Sequence, residues 1–146
     1  MERILGIDFG ERRIGLALSD PLGKIASPFL TFDTRADGDF FQRIEQLIEK
    51  EGVNQIVLGM PRNMDGSIGQ KGKDVLDFSK KLSLRIKIPI TFWDERLSSV
   101  ESKRVLREAG ARLHKHKQKI DMLSAALILQ GFLDSQRAKK KEMPES

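Results

Sequence analysis

Arg3-Ile4-Leu5-Gly6-Ile7-Asp8-Phe9, then Gly10-Glu11-Arg12, then Arg13-Ile14-Gly15-Leu16-Ala17-Leu18-Ser19 is the stretch on which the fold turns. The first segment is apolar on both alternating faces up to Asp8, the pattern of a central strand covered on both sides. Gly10-Glu11-Arg12 makes a tight turn, and Ile14, Leu16 and Leu18 then share one face of a returning strand. Asp20-Pro21-Leu22-Gly23 has Pro and Gly where a β-turn wants them. A third strand is expected over residues 24–32. Its Pro28 cannot donate to a ladder, so that strand belongs at a sheet edge. The three form an antiparallel meander whose first strand is central and free to pair on its other side.

Beyond the meander the period changes. Phe40, Phe41, Ile44, Leu47 and Ile48 recur at helical spacing, with Gly52 as the stop. Residues 54–60 are a short apolar run fitting a buried strand, closed by Gly59-Met60-Pro61. A helix over 67–84 presents Val75, Leu76, Phe78 and Leu82. Residues 88–93 read as a strand, 97–109 as a helix and 120–135 as the last helix. The order β-β-β-α-β-α-β-α-α gives an α/β protein with a mixed five-stranded sheet, order 3-2-1-4-5, the first three strands antiparallel and helices on both faces. Residues 1–137 form one expected domain, and 138–146, which include Lys139-Lys140-Lys141, an expected disordered charged tail.

Composition narrows the function classes. The chain has 146 residues, 39% hydrophobic and 32% charged, which describes a folded globular protein rather than a disordered one. No apolar run approaches the roughly 18–20 residues of a membrane span. Met1-Glu2-Arg3-Ile4-Leu5 passes straight into strand-like sequence, so no leader is expected. The absence of cysteine excludes a disulfide framework and thiolate chemistry, and fits a reducing compartment. The expected location is the cytoplasm. Charge is uneven: residues 1–100 carry 15 Lys+Arg against 15 Asp+Glu, whereas 101–146 carry 11 against 6. Lys115, Lys117 and Lys119 immediately precede a helical segment, where the helix dipole disfavours cations. A solvated surface is one reading of this run; a polyanion-binding face is the other.

Three carboxylates carry the chemistry. Asp8 ends the most buried strand, where a carboxylate has no packing use and an unpaired charge is costly. Ligands of open α/β sheets bind outside the carboxyl ends of the strands. Asp8 either serves a site there or pairs with Arg12 or Arg13. Asp94 and Glu95 end the last strand at the same sheet edge; Asp94 and Ser98 are the residue types that cap helices, which leaves Glu95 as the candidate. Asp121 shares a helix face with Ala125, Ile128 and Phe132, a face expected to pack on the sheet. A rim Asp held by a nearby cation is its alternative. Carboxylates from the first strand, the end of the last strand and the last helix can converge. Hard oxygen ligands without His or Cys suit Mg²⁺ or Mn²⁺, and two such ions about 3.5–4 Å apart would activate water against a phosphodiester. Arg12, Arg13, Arg96, Lys115, Lys117 and Lys119 are the candidate phosphate contacts.

Other chemistries fare worse. His114 and His116 lie in a Lys-rich stretch with no ligand motif, and no Ser sits in a nucleophile elbow. Gly6 and Gly10 match neither a dinucleotide fingerprint nor a P-loop. A two-lobed ATP-dependent enzyme needs more chain than this. With one Trp, no Tyr and the Phe residues at core spacings, no aromatic platform for bases is expected. The periodic apolar residues are all expected to be spent on the sheet, leaving no dimer face and favouring a monomer.

Ile7-Asp8-Phe9-Gly10 with Arg13-Ile14-Gly15-Leu16-Ala17, then Gly59-Met60-Pro61, then Asp94-Glu95-Arg96-Leu97-Ser98, then Asp121 with Ala125-Ala126 and Ile128-Leu129, resemble the YqgF (RuvX) family. The resemblance spans residues 3–135. It implies a ribonuclease H-like fold related to the Holliday-junction resolvase RuvC, and a nuclease that processes the 5′ end of pre-16S ribosomal RNA. It places Asp8, Glu95 and Asp121 at the catalytic positions. Resolution of branched DNA junctions, or RNA binding without catalysis, is the alternative activity on the same fold.

Overall fold

A computed structural model describes residues 2–113 and 115–142. The elements are β1 (Arg3–Asp8), β2 (Arg13–Ser19), β3 (Ala26–Asp33), α1 (Phe40–Glu51), β4 (Val53–Met60), α2 (Gln70–Ser83), β5 (Ile90–Asp94), a 3₁₀ turn (Glu95–Leu97), α3 (Val100–Leu113) and α4 (Lys117–Glu142). The five strands form one sheet in the order β3-β2-β1-β4-β5, as the meander and its edge proline require. β1 pairs antiparallel with β2 and parallel with β4, and β4 pairs parallel with β5. Pro28 does sit on the outer strand, beside a register shift where Leu16 pairs with Leu30 but Ala17 with Pro28.

The two sheet faces are built differently. Leu5, Ile7, Ile14, Leu16, Ile56 and Leu58 pack against α1 and α2 in the larger core, all of them at most 1% exposed. At roughly 2 kcal/mol per buried aliphatic side chain, this layer supplies most of the fold's hydrophobic stabilisation. Asp39 caps α1 by accepting from the Phe41 and Gln42 amides. Gly52 ends it in the left-handed conformation, φ 66°, its N–H donating to the Ile48 carbonyl. The opposite face carries small residues and takes α4 through Ala125, Ala126, Ile128, Leu129 and Phe132. A Cβ on Gly15 would lie 2.1 Å from the Asp121 carbonyl oxygen, so α4 rests on bare backbone there. Ala125 and Ala126 on the helix and Gly15 on the sheet together permit this close approach.

Element boundaries differ where caps decide them. The residues after Asp94 form a separate 3₁₀ turn, and α3 begins only at Val100, because Ser99 Oγ accepts the Ser102 amide. α4 starts at Lys117 and continues through Lys139 and Lys140 to Glu142, good helix formers, so helix covers the first part of the segment expected as a tail. Residues 143–146 lie outside the described residues, as does His114. Not every apolar residue is spent on the sheet: Leu97, in the 3₁₀ turn, and Val100, at the start of α3, are 62% and 81% exposed. α3 buries only Ala109. Trp93 packs edge-on against Phe132 and lies over Gly131, a strand-end packing role. Among the described residues no helix is long and apolar enough to cross a membrane.

Candidate active site

β1 ends at Asp8, which sits directly opposite Gly15 of β2 in the antiparallel register. Alternation along β1 sends Leu5 and Ile7 to the α1–α2 core and leaves Asp8 on the side of Gly6, the face covered by α4. Its neighbour β4 ends one residue before Pro61, and β5 ends in Asp94, paired with Met60. Three parallel strands thus deliver their carboxyl ends to one edge.

Glu95 opens the 3₁₀ turn immediately after β5, and its side chain lies over Gly59, where a Cβ would meet Cγ and Cδ at 3.4 Å. Asp8 and Glu95 both line a cleft of about 590 Å³ together with Gly10, Pro61 and Lys71. They also line a smaller cavity of about 110 Å³ on the α3–α4 side, with Ser98, Ser102, Lys103 and Ser124. Burial, reinforced by the charges of Glu95 and Asp121, pushes the Asp8 carboxyl up to about 7, against a partial offset from Lys71. Burial also raises Glu95, and Lys71 again opposes the shift.

Asp121 lies in the first turns of α4, its backbone over Gly15. Its Oδ2 accepts from Arg13 Nε at 2.6 Å, an ion pair between half-buried side chains. Asp121 is therefore close enough to act on Asp8 but is turned to a cation. Among the described residues no three carboxylates or histidines gather tightly enough to form a ready metal cage. The residue pattern set all three acids around one pair of ions. In the structure Asp8 and Glu95 share the cleft, and Asp121 is held by a guanidinium on the adjacent strand, which relieves repulsion among like charges.

The candidate phosphate contacts fall into two groups. Arg12 pairs with Asp33, Arg13 with Asp121, and Arg96 with Asp94, whose carboxyl it holds below the usual range. Asp94 also accepts the Arg96 amide, the capping role its residue type suggested. Lys115, Lys117 and Lys119 are exposed and have no acidic partner among the described residues. Sequence reasoning missed Lys71, one residue into α2, and the hydroxyl groups of Ser98, Ser102 and Ser124. The signal for Lys71 was topological: the segment leaving β4 had to arrive at the sheet edge that holds Asp8.

The donor set fits a hard divalent cation. Asp8 and Glu95 offer half-buried oxygen ligands with no sulfur or imidazole beside them, and desolvation, with the neighbouring acids adding to it, already holds Asp8 partly protonated near neutrality.

The family model for RuvX, described as Holliday junction resolvase, matches residues 2–135. A protein of Lachnospira eligens named "Putative pre-16S rRNA nuclease" is 43% identical over 138 residues, covering 92% of this chain and 99% of the relative. One of Thermoanaerobacter pseudethanolicus with the same name is 44% identical over 138 residues, covering 94% and 99%. Among solved structures, Thermus thermophilus RuvC in complex with a Holliday junction substrate superposes with a TM-score of 0.60 at 12% identity, covering 93% of this chain and 97% of that one. The Fowlpox virus resolvase bound to Holliday junction DNA gives 0.54 at 10% identity, covering 92% and 98%. At such identities the structural likeness speaks for the fold alone, the ribonuclease H-like fold.

Proposed function

The chain belongs to the RuvX family, and we propose that it is a nuclease hydrolysing phosphodiesters of structured RNA, with the 5′ end of pre-16S rRNA as its substrate. The observation that carries the reading is Asp8: a carboxyl at the end of the central strand, raised to about 7 by burial and by two further acids, in an open cleft at the sheet edge. A purely structural Asp at that place would be paired, and Asp8 has no ion-pair partner among the described residues.

Asp8 and Glu95 would hold divalent magnesium or manganese, with Asp121 joining them on exchange of its Arg13 partner. Such ions, when bound, supply water activation and charge neutralisation at the phosphodiester. Lys71 lies on the cleft beside both carboxylates and would hold a non-bridging phosphate oxygen. Arg13 exchanges Asp121 for substrate phosphate in the same arrangement, so RNA would help complete the carboxylate set. Lys115, Lys117 and Lys119, at the N-terminus of the helix that carries Asp121, would hold the flanking backbone.

The family description favours one other reading, cleavage of a four-way DNA junction. A side-by-side assay on precursor rRNA and a synthetic junction, with Asp8→Asn as the blank, tests both. The RNA is expected to be cut in a divalent-dependent way by the parent and not by the variant. Undiminished cleavage by Asp8→Asn would remove Asp8 from catalysis, and symmetric cutting of the junction alone would reverse the substrate.

A further inference from the structure

A further cavity, of about 480 Å³, opens where α1 and α2 approach the end of β1. Its wall is a cluster of rings: Phe9 stacks on Phe78 with centroids 4.4 Å apart, and Phe41 lies 5.9 Å from Phe78. Phe78 is buried, but Phe9 and Phe41 are only half-buried and line the open space. Phe9, Glu11 and Asp74 border both this cavity and the cleft of Asp8 and Glu95, so the two are neighbours along one surface. The polar lining is mainly acidic, four carboxylates against the single cation Lys81, with Thr34 beside them. Asp39 is spent on the cap of α1 and Asp74 accepts from Gln70, whereas the Glu11 and Asp77 carboxylates have no partner among the described residues.

We propose that this cavity binds one unpaired nucleobase of the nucleic acid whose phosphodiester lies in the adjoining cleft. The inference rests on the nuclease reading for its ligand. Its volume falls within the roughly 300–1,000 Å³ typical of small-molecule sites. Accessible phenylalanine faces stack on any base. Carboxylates repel phosphate, which keeps the backbone out toward Lys71, but they accept from exocyclic amino groups. The pocket therefore suits adenine, guanine or cytosine better than uracil, whose edge offers one imino donor between two carbonyls. Such an aromatic platform departs from the expectation drawn from the core spacings of the phenylalanines. Those rings do pack the core, yet they do so at its open margin.

Fluorescence anisotropy on the full chain carrying Asp8→Asn, which leaves RNA intact, tests this with three labelled probes: oligo(A), oligo(U) and a duplex RNA. Phe41→Ala is expected to weaken oligo(A) binding about tenfold, the scale of one base stack removed, and to leave duplex binding within about twofold. Asp77→Asn, at an exposed position, is expected to stay folded and to lower the preference for oligo(A) over oligo(U). Unchanged oligo(A) affinity in Phe41→Ala, equal losses on all three probes, or an unmoved preference in Asp77→Asn would overturn the proposal. Cleavage by the chain with native Asp8 separates the two readings. RNA cut without any Phe41 effect on binding removes the base pocket and keeps the nuclease; a Phe41 effect without cleavage does the reverse.

Discussion

Asp8 carries a stability cost that follows from its position. Its carboxyl ionises near pH 7 in the fold, against an ordinary value of 3.8. Between those values the folded chain holds a proton that the unfolded chain has released, so stability falls as pH rises through the window and the full cost is present above pH 7. Asp8→Asn removes that cost. Its melting temperature should exceed the parent's at pH 8, by the equivalent of at most about 4 kcal/mol, and match it near pH 4, while divalent-dependent cleavage is abolished. Calorimetry at the two pH values checks the sign; a variant less stable than the parent at pH 8 would mean that Asp8 is satisfied by a partner. Glu95, raised by burial in the same direction, adds to the effect rather than opposing it.

The element that positions the site is α4, and what positions α4 is a lack of side chain on β2. A Cβ at Gly15 would stand 2.1 Å from the Asp121 carbonyl oxygen, a clash with backbone that no rotamer change relieves. Gly15→Ala should therefore cost several kcal/mol, on the order of other overpacked cores, and lower activity beyond what the reduced stability explains. Gly110, in α3 with nothing within 4 Å of the added methyl, is the control: there alanine should stabilise by up to about 1 kcal/mol. Denaturant melts of both variants decide it, and a harmless Gly15→Ala would show that α4 can stand further off. The same helix begins with exposed Lys117 and Lys119, against its own dipole. Neutralising Lys115, Lys117 and Lys119 together should weaken binding of all RNA sequences alike. It should also flatten the slope of log affinity against log salt by about 0.7–0.9 for each phosphate no longer neutralised. An unaltered slope would make them ordinary solvated cations.

At the scale of the whole molecule, surface and assembly select the geometry of nucleic acid that is accepted. Paired cuts across a junction need two active sites and hence two copies of the chain. Leu97 and Val100 are exposed on the turn before α3 and at the start of that sparsely buried helix, so some apolar surface does exist there. It is modest against the roughly 1,200–2,000 Å² of a stable interface, and a monomeric solution mass is expected, in keeping with a structured RNA as substrate. Light scattering, run with the paired cleavage assay, checks this; a dimer that cuts only the junction would contradict it.

The periodicity of residues 3–19, the edge proline at Pro28 and the order of the remaining elements determined the sheet, because strand alternation and the missing N–H of proline act locally. The same logic brought Asp8 and Glu95 to one edge, since parallel strands must share their carboxyl ends. Sequence was silent on what depends on packing between distant segments. A cation beside Asp121 was one of two readings, but that the cation is Arg13, 108 residues away, that Lys71 faces the carboxylates, and that Phe9 and Phe41 line an open cavity instead of closing the core are settled by how α4 seats on Gly15 and how α1 and α2 meet the end of β1. Side-chain charge and apolarity are properties of a residue, but which group answers them is decided only by the packing that places it.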